Sequence, residues 1–358
     1  MAIGRSFPVL LLIFLSMLAL HVCFRIQPNL TSTPAFKSKF TFRGVNWVAG
    51  DSVTLNQIMA LKEQNTEWMA QTPFGWQQKF NSPELHINTH VSKIFWGESD
   101  QGLIHTTRLA KQAGIKTLLK PHIWLRDREA DKWIGDIEMT SEADWQAWFK
   151  NYSAFILYYA RIAEQNQMEA LCIGTELMKP AITREKDWRR LIHQIRQVYH
   201  GQLTYAANWY LEYEKIKFWD ALDFIGVQGY FPLTKKNNPT LSELRAGWKP
   251  YLTDLEKIAN KYQKPVVFTE VGYKSTPDAA IEPWKWPERG RAPEQNESYQ
   301  TQANCYEALF QTLWQKPWFG GTFIWKWYPQ VRDNGRDHRD FTPQHKPAEK
   351  ILAAWYGK

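Results

Sequence analysis

Cysteine is scarce in this chain of 358 residues, which contains only Cys23, Cys172 and Cys305. The spacing of these residues fits no metal site. We interpret them as free thiols, because Cys23 belongs to an apolar N-terminal segment and the other two belong to a predicted buried strand and a predicted helix. We therefore expect no metal and no organic cofactor.

The chain also lacks a long basic run and any nucleic-acid-binding motif, although its formal net charge is +8 and its pI is near 9.2. We interpret the excess charge as a mildly basic, solvated surface and expect no nucleic acid partner. Hydrophobic residues make up 44% and charged residues 22%, which excludes a disordered chain. Because the composition shows no internal break, we expect a single domain. We also expect a monomer.

The longest apolar run, residues 7–24, lies close to the N-terminus and follows Arg5. This pattern predicts an export signal or an N-terminal membrane anchor, although its length is at the short limit of a membrane span. We assign residues 1–26 to this signal or anchor and residues 27–39, rich in Pro, Ser, Thr and Lys, to a linker. The remainder is then expected outside the cytoplasm, as a secreted, periplasmic or outward-facing membrane-anchored protein.

From residue 40 to residue 358, short apolar runs alternate with helical patterns. The predicted strands are residues 40–48, 66–72, 116–124, 171–176, 203–209, 223–230, 265–270 and 321–327. Predicted helices lie between them, among them residues 183–200 and a short piece at 214–221, and a last one covers 347–356. Eight strands alternating with helices predict an α/β fold, a single-domain (β/α)8 TIM barrel, whose active site lies at the carboxyl ends of the strands.

Two of these strands end in the same way. Residues 171–176 read LCIGTE and residues 265–270 read PVVFTE, so each apolar run delivers a glutamate, Glu176 and Glu270, to the carboxyl end. A buried strand gains nothing from a carboxylate at its end unless that end opens onto a site. Two carboxyl groups across a cleft suit glycoside cleavage, in which one is protonated and the other ionised.

Alternation along the strands predicts which residues share a face with each glutamate. Cys172 and Gly174 are expected on the face of Glu176, and Val266 and Phe268 on the face of Glu270. Other strand ends contribute further candidates: Trp47, His122, Asn208, Gln228, Tyr230 and Trp325. The chain has 19 tryptophans, more than a core requires, and exposed rings can stack on the apolar faces of sugars.

This set of motifs resembles glycoside hydrolase family 113, of the clan A retaining glycosidases. The resemblance rests on residues 44–47 (GVNW), 119–122 (LKPH), 173–177 (IGTEL), 268–273 (FTEVGY) and 323–327 (FIWKW). It implies Glu176 as general acid/base, Glu270 as nucleophile and Tyr230 as a hydrogen-bond donor to the nucleophile. It also implies Trp325 beneath the sugar in subsite −1, and His122, Asn208 and Gln228 as contacts of sugar hydroxyls.

The resemblance further implies an endo-β-1,4-mannanase type of activity on mannan-type polysaccharide or oligosaccharide. One position departs from many clan A enzymes, because Thr175 stands where an asparagine before the acid/base binds the 2-hydroxyl. Alternatives are another clan A specificity (β-glucan, xylan or exo-acting), a non-catalytic carbohydrate-binding barrel and a basic adhesion protein. Two long loops, residues 77–95 and 275–294, decide between endo and exo action by closing or leaving open one end of the cleft.

Overall fold

Eight of the strands in the described part of the chain close into a parallel barrel. The computed structural model describes residues 36–38, 41–48, 50–87, 95–127, 132–287, 297–331 and 339–358. In chain order the strands are β1 (Phe42–Trp47), β2 (Trp68–Gln71), β3 (Phe74–Gln77), β4 (Leu85–Ile87), β5 (Lys116–Leu119), β6 (His122–Leu125), β7 (Ala170–Thr175), β8 (Gln202–Asn208), β9 (Ile225–Gln228), β10 (Val266–Val271) and β11 (Phe319–Trp327). The barrel follows the order β1, β2, β5, β7, β8, β9, β10, β11 and closes back onto β1. The predicted (β/α)8 fold is confirmed.

Helices alternate with the barrel strands, and several of them begin at a residue that caps them. They are α1 (Leu55–Glu63), α2 (Asp100–Gln112), α3 (Glu142–Gln165), α4 (Met178–Thr183), α5 (Glu185–Arg196), α6 (Leu241–Tyr262), α7 (Tyr299–Leu313) and α8 (Pro347–Tyr356). The hydroxyls of Ser99 and Ser141 accept backbone N–H groups of the first turns of α2 and α3. Thr240 and Glu243 form a reciprocal capping box at α6.

Two helical predictions were wrong in extent. Residues 183–200, expected as one helix, are divided at Arg184, whose φ of −118° and ψ of 44° are not helical. Of residues 214–221, only Trp219–Ala221 form a single 3-10 turn. A helix as short as the one predicted at 214–221 forms too few hydrogen bonds to offset the free-energy cost of helix nucleation.

The barrel has an inner and an outer apolar layer. The inner cluster fills the barrel with residues from alternate strand positions: Phe42, Trp68, Ala70, Leu118, Ala170, Cys172, Ala206, Phe224, Val267 and Phe323. The much larger outer cluster packs the strands against the helices and contains most of the buried tryptophans. Many tryptophans therefore belong to the seam between helices and sheet, whereas a smaller group reaches the surface.

A small second sheet stands at the mouth of the barrel, where the sequence predicted that the strand at 116–124 continues without a break. β3 lies between β4 and β6, and β3 pairs in parallel with β6. The predicted strand 116–124 is therefore two strands, and His122 begins β6 rather than ending the barrel strand. Pro73 and Pro121 stand at the two breaks, because proline has no N–H to continue the ladder.

The residues from Ala35 to Lys358 form one compact unit. The predicted signal or anchor, residues 1–26, and nearly all of the predicted linker lie outside the described residues. No helix in the described part of the chain has both the length and the hydrophobicity to span a bilayer.

Candidate active site

A cavity of about 380 Å³ opens at the carboxyl ends of the barrel strands. Its walls combine two carboxyl groups with polar and aromatic side chains: Phe74, His122, Ile123, Trp124, Leu125, Lys132, Trp133, Ile134, Glu176, Gln228, Tyr230, Glu270, Trp284, Trp286, Trp325 and Phe341. Six of the eight residues predicted from strand ends are thus brought together, although they come from segments far apart in the chain.

Both glutamates follow an irregularity in their strand. The register of β7 against β8 shifts between Cys172 and Thr175, and a Cβ on Gly174 would contact Tyr205 in the outer layer. Strict alternation predicted that Gly174 shares the inner face with Cys172, and this prediction was wrong. Glu176 itself has a left-handed backbone, with φ of 53°, which costs a non-glycine residue about 1 kcal/mol or more.

The strand of Glu270 shows the same departure. The register of β10 against β9 shifts between Phe268 and Glu270, and Phe268 stacks on Trp248 in the outer layer. The predicted shared face of Phe268 and Glu270 was therefore wrong. A bulge adds one residue to a strand and re-aims the side chain that follows. In both strands, the glutamate reaches the cavity by way of such a bulge rather than by alternation.

Glu270 is the more deeply buried carboxyl group, with 5% of its surface exposed. The Lys120 ammonium donates to its Oε1 at 2.5 Å, and the Tyr230 hydroxyl donates to its Oε2 at 2.9 Å. Burial alone would raise the pKa of Glu270, but the nearby Lys120 charge and the donated hydrogen bonds hold this pKa below its ordinary value. The group is therefore ionised at neutral pH.

Glu176 has the opposite electrostatic environment. Burial and the negative charge of Glu270 raise the pKa of Glu176 to about 7, although the Asn208 amide donates to its Oε1 at 2.8 Å and opposes the shift. A substantial fraction of Glu176 is therefore protonated near neutral pH. The cavity contains one carboxyl group suited to donate a proton and one suited to attack.

His122 and Gln228 supply polar groups to the same wall. Burial and the Lys120 charge lower the pKa of His122 to about 3, so its imidazole is neutral. Its Nε2 lies 3.7 Å from Glu270 Oε1 and makes no hydrogen bond within the described part of the chain. Gln228 accepts a hydrogen bond from the Thr269 hydroxyl at 3.0 Å. A buried ring nitrogen without a hydrogen-bond partner is rare in a protein interior, and His122 is one of the residues that line the cavity.

Two predicted site residues lie off the cavity wall. Trp47 is 5% exposed and belongs to the outer core, because alternation in β1 turns Asn46 toward the barrel interior and Trp47 toward the helices. The Asn46 amide donates to the carbonyl groups of Thr269 and Phe323. Asn208 lines no part of the cavity but contacts Glu176 directly.

Sequence reasoning missed Lys120 and several aromatic residues. Lys120 lies in the LKPH motif, and a lysine before proline at a strand end was the available signal. The additional aromatic side chains on the cavity wall include the exposed Trp124, Trp133, Trp284 and Trp286. Trp124 lies in β6 of the small second sheet, and the other three lie in loops, where tryptophan has no core to fill. Among the described residues, no group of three or more His, Cys, Asp or Glu side chains is arranged to hold a metal ion.

An eightfold barrel with two glutamates of opposite electrostatic environment in one cavity at the strand ends defines a barrel glycoside hydrolase. The model of Glycoside Hydrolase Family 113 matches residues 40–346, and the chain belongs to this family. The resemblance seen in the sequence motifs is thereby confirmed.

Solved structures agree with this assignment. A family 113 β-mannanase from Alicyclobacillus acidocaldarius, in complex with ManMIm, is 28% identical with a TM-score of 0.75, covering 90% of this chain and 99% of that chain. A complex of a family 113 β-1,4-mannanase is 26% identical with a TM-score of 0.73, covering 89% and 99%. A β-glucuronidase from Ruminococcus gnavus, 12% identical with a TM-score of 0.58, covers 88% of this chain and 50% of that chain and shares the fold alone. No curated protein sequence is significantly similar to the chain.

Proposed function

We propose that this protein hydrolyses β-1,4-linked mannan-type polysaccharide or oligosaccharide with retention of configuration. Glu270 is the nucleophile and Glu176 is the general acid/base. The observation that carries the proposal is the opposite electrostatic environment of the two carboxyl groups in one cavity, with the pKa of Glu270 lowered and that of Glu176 raised to about 7.

The environment of Glu270 fits the first chemical step. The carboxylate attacks the anomeric carbon and forms a covalent glycosyl-enzyme, while Glu176 transfers its proton to the departing glycosidic oxygen. Lys120 and Tyr230 hold one carboxylate oxygen each, so that the nucleophile is oriented before substrate enters. Retention requires the two carboxyl groups to lie about 5–5.5 Å apart.

The second step uses the same residues in reversed roles. After the leaving group departs, Glu176 is ionised and removes a proton from water. The water attacks the anomeric carbon from the face that the leaving group occupied and breaks its bond to Glu270, which leaves as a carboxylate. The released proton restores Glu176 to the acid form. A group whose pKa lies near 7 exchanges its proton readily in both directions at neutral pH.

The sugar in subsite −1 would lie on Trp325, whose ring also lies 5.8 Å from the Lys120 ammonium. Thr175 does not line the cavity, so hydrogen bonds to the hydroxyls fall to wall residues such as His122 and Gln228. Support for mannan as substrate comes from the solved β-1,4-mannanases, which match about nine-tenths of the chain. The exposed tryptophans of the wall provide further stacking surfaces for a polymer.

The decisive experiment measures product release from β-1,4-mannan, glucomannan, xylan and β-glucan with the wild type and Glu270→Ala side by side. We expect the wild type to cleave mannan and the variant to lose activity by several orders of magnitude. Cleavage of xylan or β-glucan alone would assign another clan A specificity. Binding of glycans without cleavage by the wild type would favour a carbohydrate-binding barrel and make both glutamates ligand contacts.

We also propose that the catalytic barrel acts outside the cytoplasm, because polymeric substrate is found there and residues 7–24 form an apolar run after Arg5. The test is cell fractionation of the full chain beside a chain that begins at residue 27. Loss of export in the shorter chain supports the proposal. Equal cytoplasmic recovery of both would contradict it.

A further inference from the structure

A third buried glutamate lies beside the candidate active site. Glu212 follows β8 in the turn after Asn208, is completely buried and does not line the cavity. Its Oε1 accepts the Tyr205 hydroxyl at 2.5 Å, and its Oε2 accepts the backbone N–H of Asn208 at 2.6 Å. Burial raises the pKa of Glu212 to about 8, and the negative charge of Glu176 adds to this shift. A buried carboxyl group with this energetic cost requires an explanation.

The first contact leads to the backbone of Glu176. The Tyr205 oxygen accepts the N–H of Leu177, the residue after Glu176, at 2.7 Å. The N–H of Glu176 itself donates to the Ala206 carbonyl at 2.8 Å. The peptide groups on both sides of Glu176 are therefore held by β8, and one of these two contacts depends on Glu212 for the orientation of the tyrosine hydroxyl. A residue with a left-handed backbone keeps that conformation only when its surroundings hold it.

The second contact leads to the side chain of Glu176. Glu212 fixes the backbone of Asn208, and the Asn208 amide donates to Glu176 Oε1 at 2.8 Å. The amide oxygen of Asn208 accepts the N–H of Tyr210 at 2.8 Å, which leaves its NH₂ group directed at Glu176. The two oxygens of one carboxyl group thus support both the main chain and the side chain of the same residue.

We propose that Glu212 is a positioning residue, which holds the carboxyl group of Glu176 in the orientation for proton transfer through Tyr205 and Asn208. The inference rests on the proposed role of Glu176 as general acid/base. Glu212→Gln tests this role, because it leaves one acceptor oxygen in place of two, so that the Tyr205 hydroxyl can keep the contact only by accepting a hydrogen bond instead of donating one. Misplacement of a catalytic group by about 1 Å can reduce the rate on the order of 100-fold.

The test compares Glu212→Gln and Tyr205→Phe with the wild type on two substrates. One is unsubstituted mannooligosaccharide, whose leaving group needs a proton. The other is the matching oligosaccharide with a dinitrophenyl leaving group, which departs without one. Because kcat/KM reports the steps up to formation of the glycosyl-enzyme, proton donation is isolated by one ratio, kcat/KM for the unsubstituted substrate divided by kcat/KM for the dinitrophenyl substrate. We expect the ratio to fall about tenfold or more in both variants.

Tyr199→Phe is the matched control. Tyr199 is a tyrosine buried as fully as Tyr205, and its hydroxyl donates to the Met168 carbonyl ahead of β7, at the end of the strand remote from Glu176. Thermal unfolding of all variants measures the loss of stability that each substitution causes. We expect Tyr199→Phe to lower stability and leave the ratio unchanged.

The outcomes separate the inference from the proposed function. If the wild type cleaves both substrates and the variants lose activity on both in parallel, Glu212 only supports the fold and the inference is wrong. Full retention of both activities in Glu212→Gln and Tyr205→Phe would overturn it as well. If the wild type cleaves neither substrate, the proposed function itself fails, and the role of Glu212 fails with it.

Discussion

The Lys120 ammonium lies 2.5 Å from Glu270 Oε1 at a point where the side chains are 0% and 7% exposed, respectively. Two charges removed from water at such a depth are stable only as a pair, because removal of one leaves the other uncompensated. The pair keeps the candidate nucleophile ionised despite its burial. It also places a fixed positive charge within the cavity before substrate enters.

We predict that Lys120→Met moves the acidic limb of the pH profile of kcat/KM to higher pH. Lys120 lowers the pKa of Glu270, so its removal raises that pKa, and attack requires the ionised form. The expected shift is about 1–2 pH units, with a lower maximum because Glu176 must still be protonated. The same substitution also raises the pKa of Glu176, since Lys120 lowers it, and the alkaline limb should move in the same direction.

The control for this substitution is Lys274→Met. Lys274 is 4% exposed and pairs with Asp278 at 2.7 Å, but it does not line the cavity. The Lys274→Met substitution should lower the melting temperature and leave both limbs of the pH profile of kcat/KM unchanged. An unmoved acidic limb in Lys120→Met would mean that Lys120 does not set the ionisation of the nucleophile.

The roles of the two glutamates predict opposite products with azide. On an activated aryl glycoside, Glu176→Ala should form the glycosyl-enzyme and accumulate it, because water lacks its base. Azide needs no base and should restore turnover, giving the β-glycosyl azide. Glu270→Ala should give the α-glycosyl azide, because azide then attacks from the face of the missing nucleophile. Proton NMR of the products distinguishes the two, and reversed anomers would exchange the assignments.

The sequence was sufficient to predict the barrel and the positions of both glutamates, because strand ends in this fold meet at one face. It was insufficient for the local geometry. Alternation failed in β7, where a bulge turns Gly174 toward the helices, and in β10, where a bulge after Phe268 turns Glu270 into the cavity. Bulges arise from pairing between strands, and pairing register is not encoded in one strand alone.

The position of Trp47 off the cavity wall has a related cause. An aromatic residue at a strand end suits both the cavity and the seam between sheet and helices. Which of the two it occupies depends on the face of β1 from which its side chain projects. Lys120 was missed for a different reason. Lys120 contributes to the site through its ion pair with Glu270, which is 150 residues further along the chain. Such partnerships appear only when the barrel closes.

Asn208→Ala should extend activity to higher pH while lowering its maximum. The Asn208 amide donates to Glu176 and lowers its pKa, so the pKa rises above about 7 when this hydrogen bond is lost. Glu176 is required in its protonated form, and the alkaline limb therefore moves up. A hydrogen bond to a charged group contributes about 1.5–3 kcal/mol, so we expect kcat/KM to fall roughly tenfold or more. Asn151→Ala, which removes a contact to the Pro83 carbonyl, is the control.

Trp286→Ala should weaken polymer binding more than catalysis. Trp286 is 56% exposed, lines the cavity and stands edge-on to Phe341 at 5.2 Å. Loss of an aromatic stacking surface of roughly 1–1.5 kcal/mol corresponds to about a tenfold rise in KM for mannan. The kcat for a short substrate should stay near the wild-type value. Phe95→Ala removes an aromatic ring that is 65% exposed and off the cavity wall, and it should change neither quantity.

The raised pKa of Glu176 also predicts a cost in stability that depends on pH. In the folded protein this pKa is about 7, above the ordinary value of 4.5, so between these values the folded state binds more protons than the unfolded state. The free energy of unfolding contributed by Glu176 is therefore retained at low pH and falls as pH rises from about 4.5 to about 7.

Glu176→Gln removes the titrating proton, and we expect it to stabilise the protein by roughly 1–3 kcal/mol at pH 8 relative to its effect at pH 4.5. Thermal or denaturant unfolding at both pH values measures the difference. Gln311→Glu, a charge change on the exposed face of α7, is a control for general electrostatic effects and should show no comparable dependence. Equal effects of Glu176→Gln at both pH values would mean that Glu176 titrates normally. The acid would then be ionised at neutral pH, and the proton for the leaving group would have to come from elsewhere.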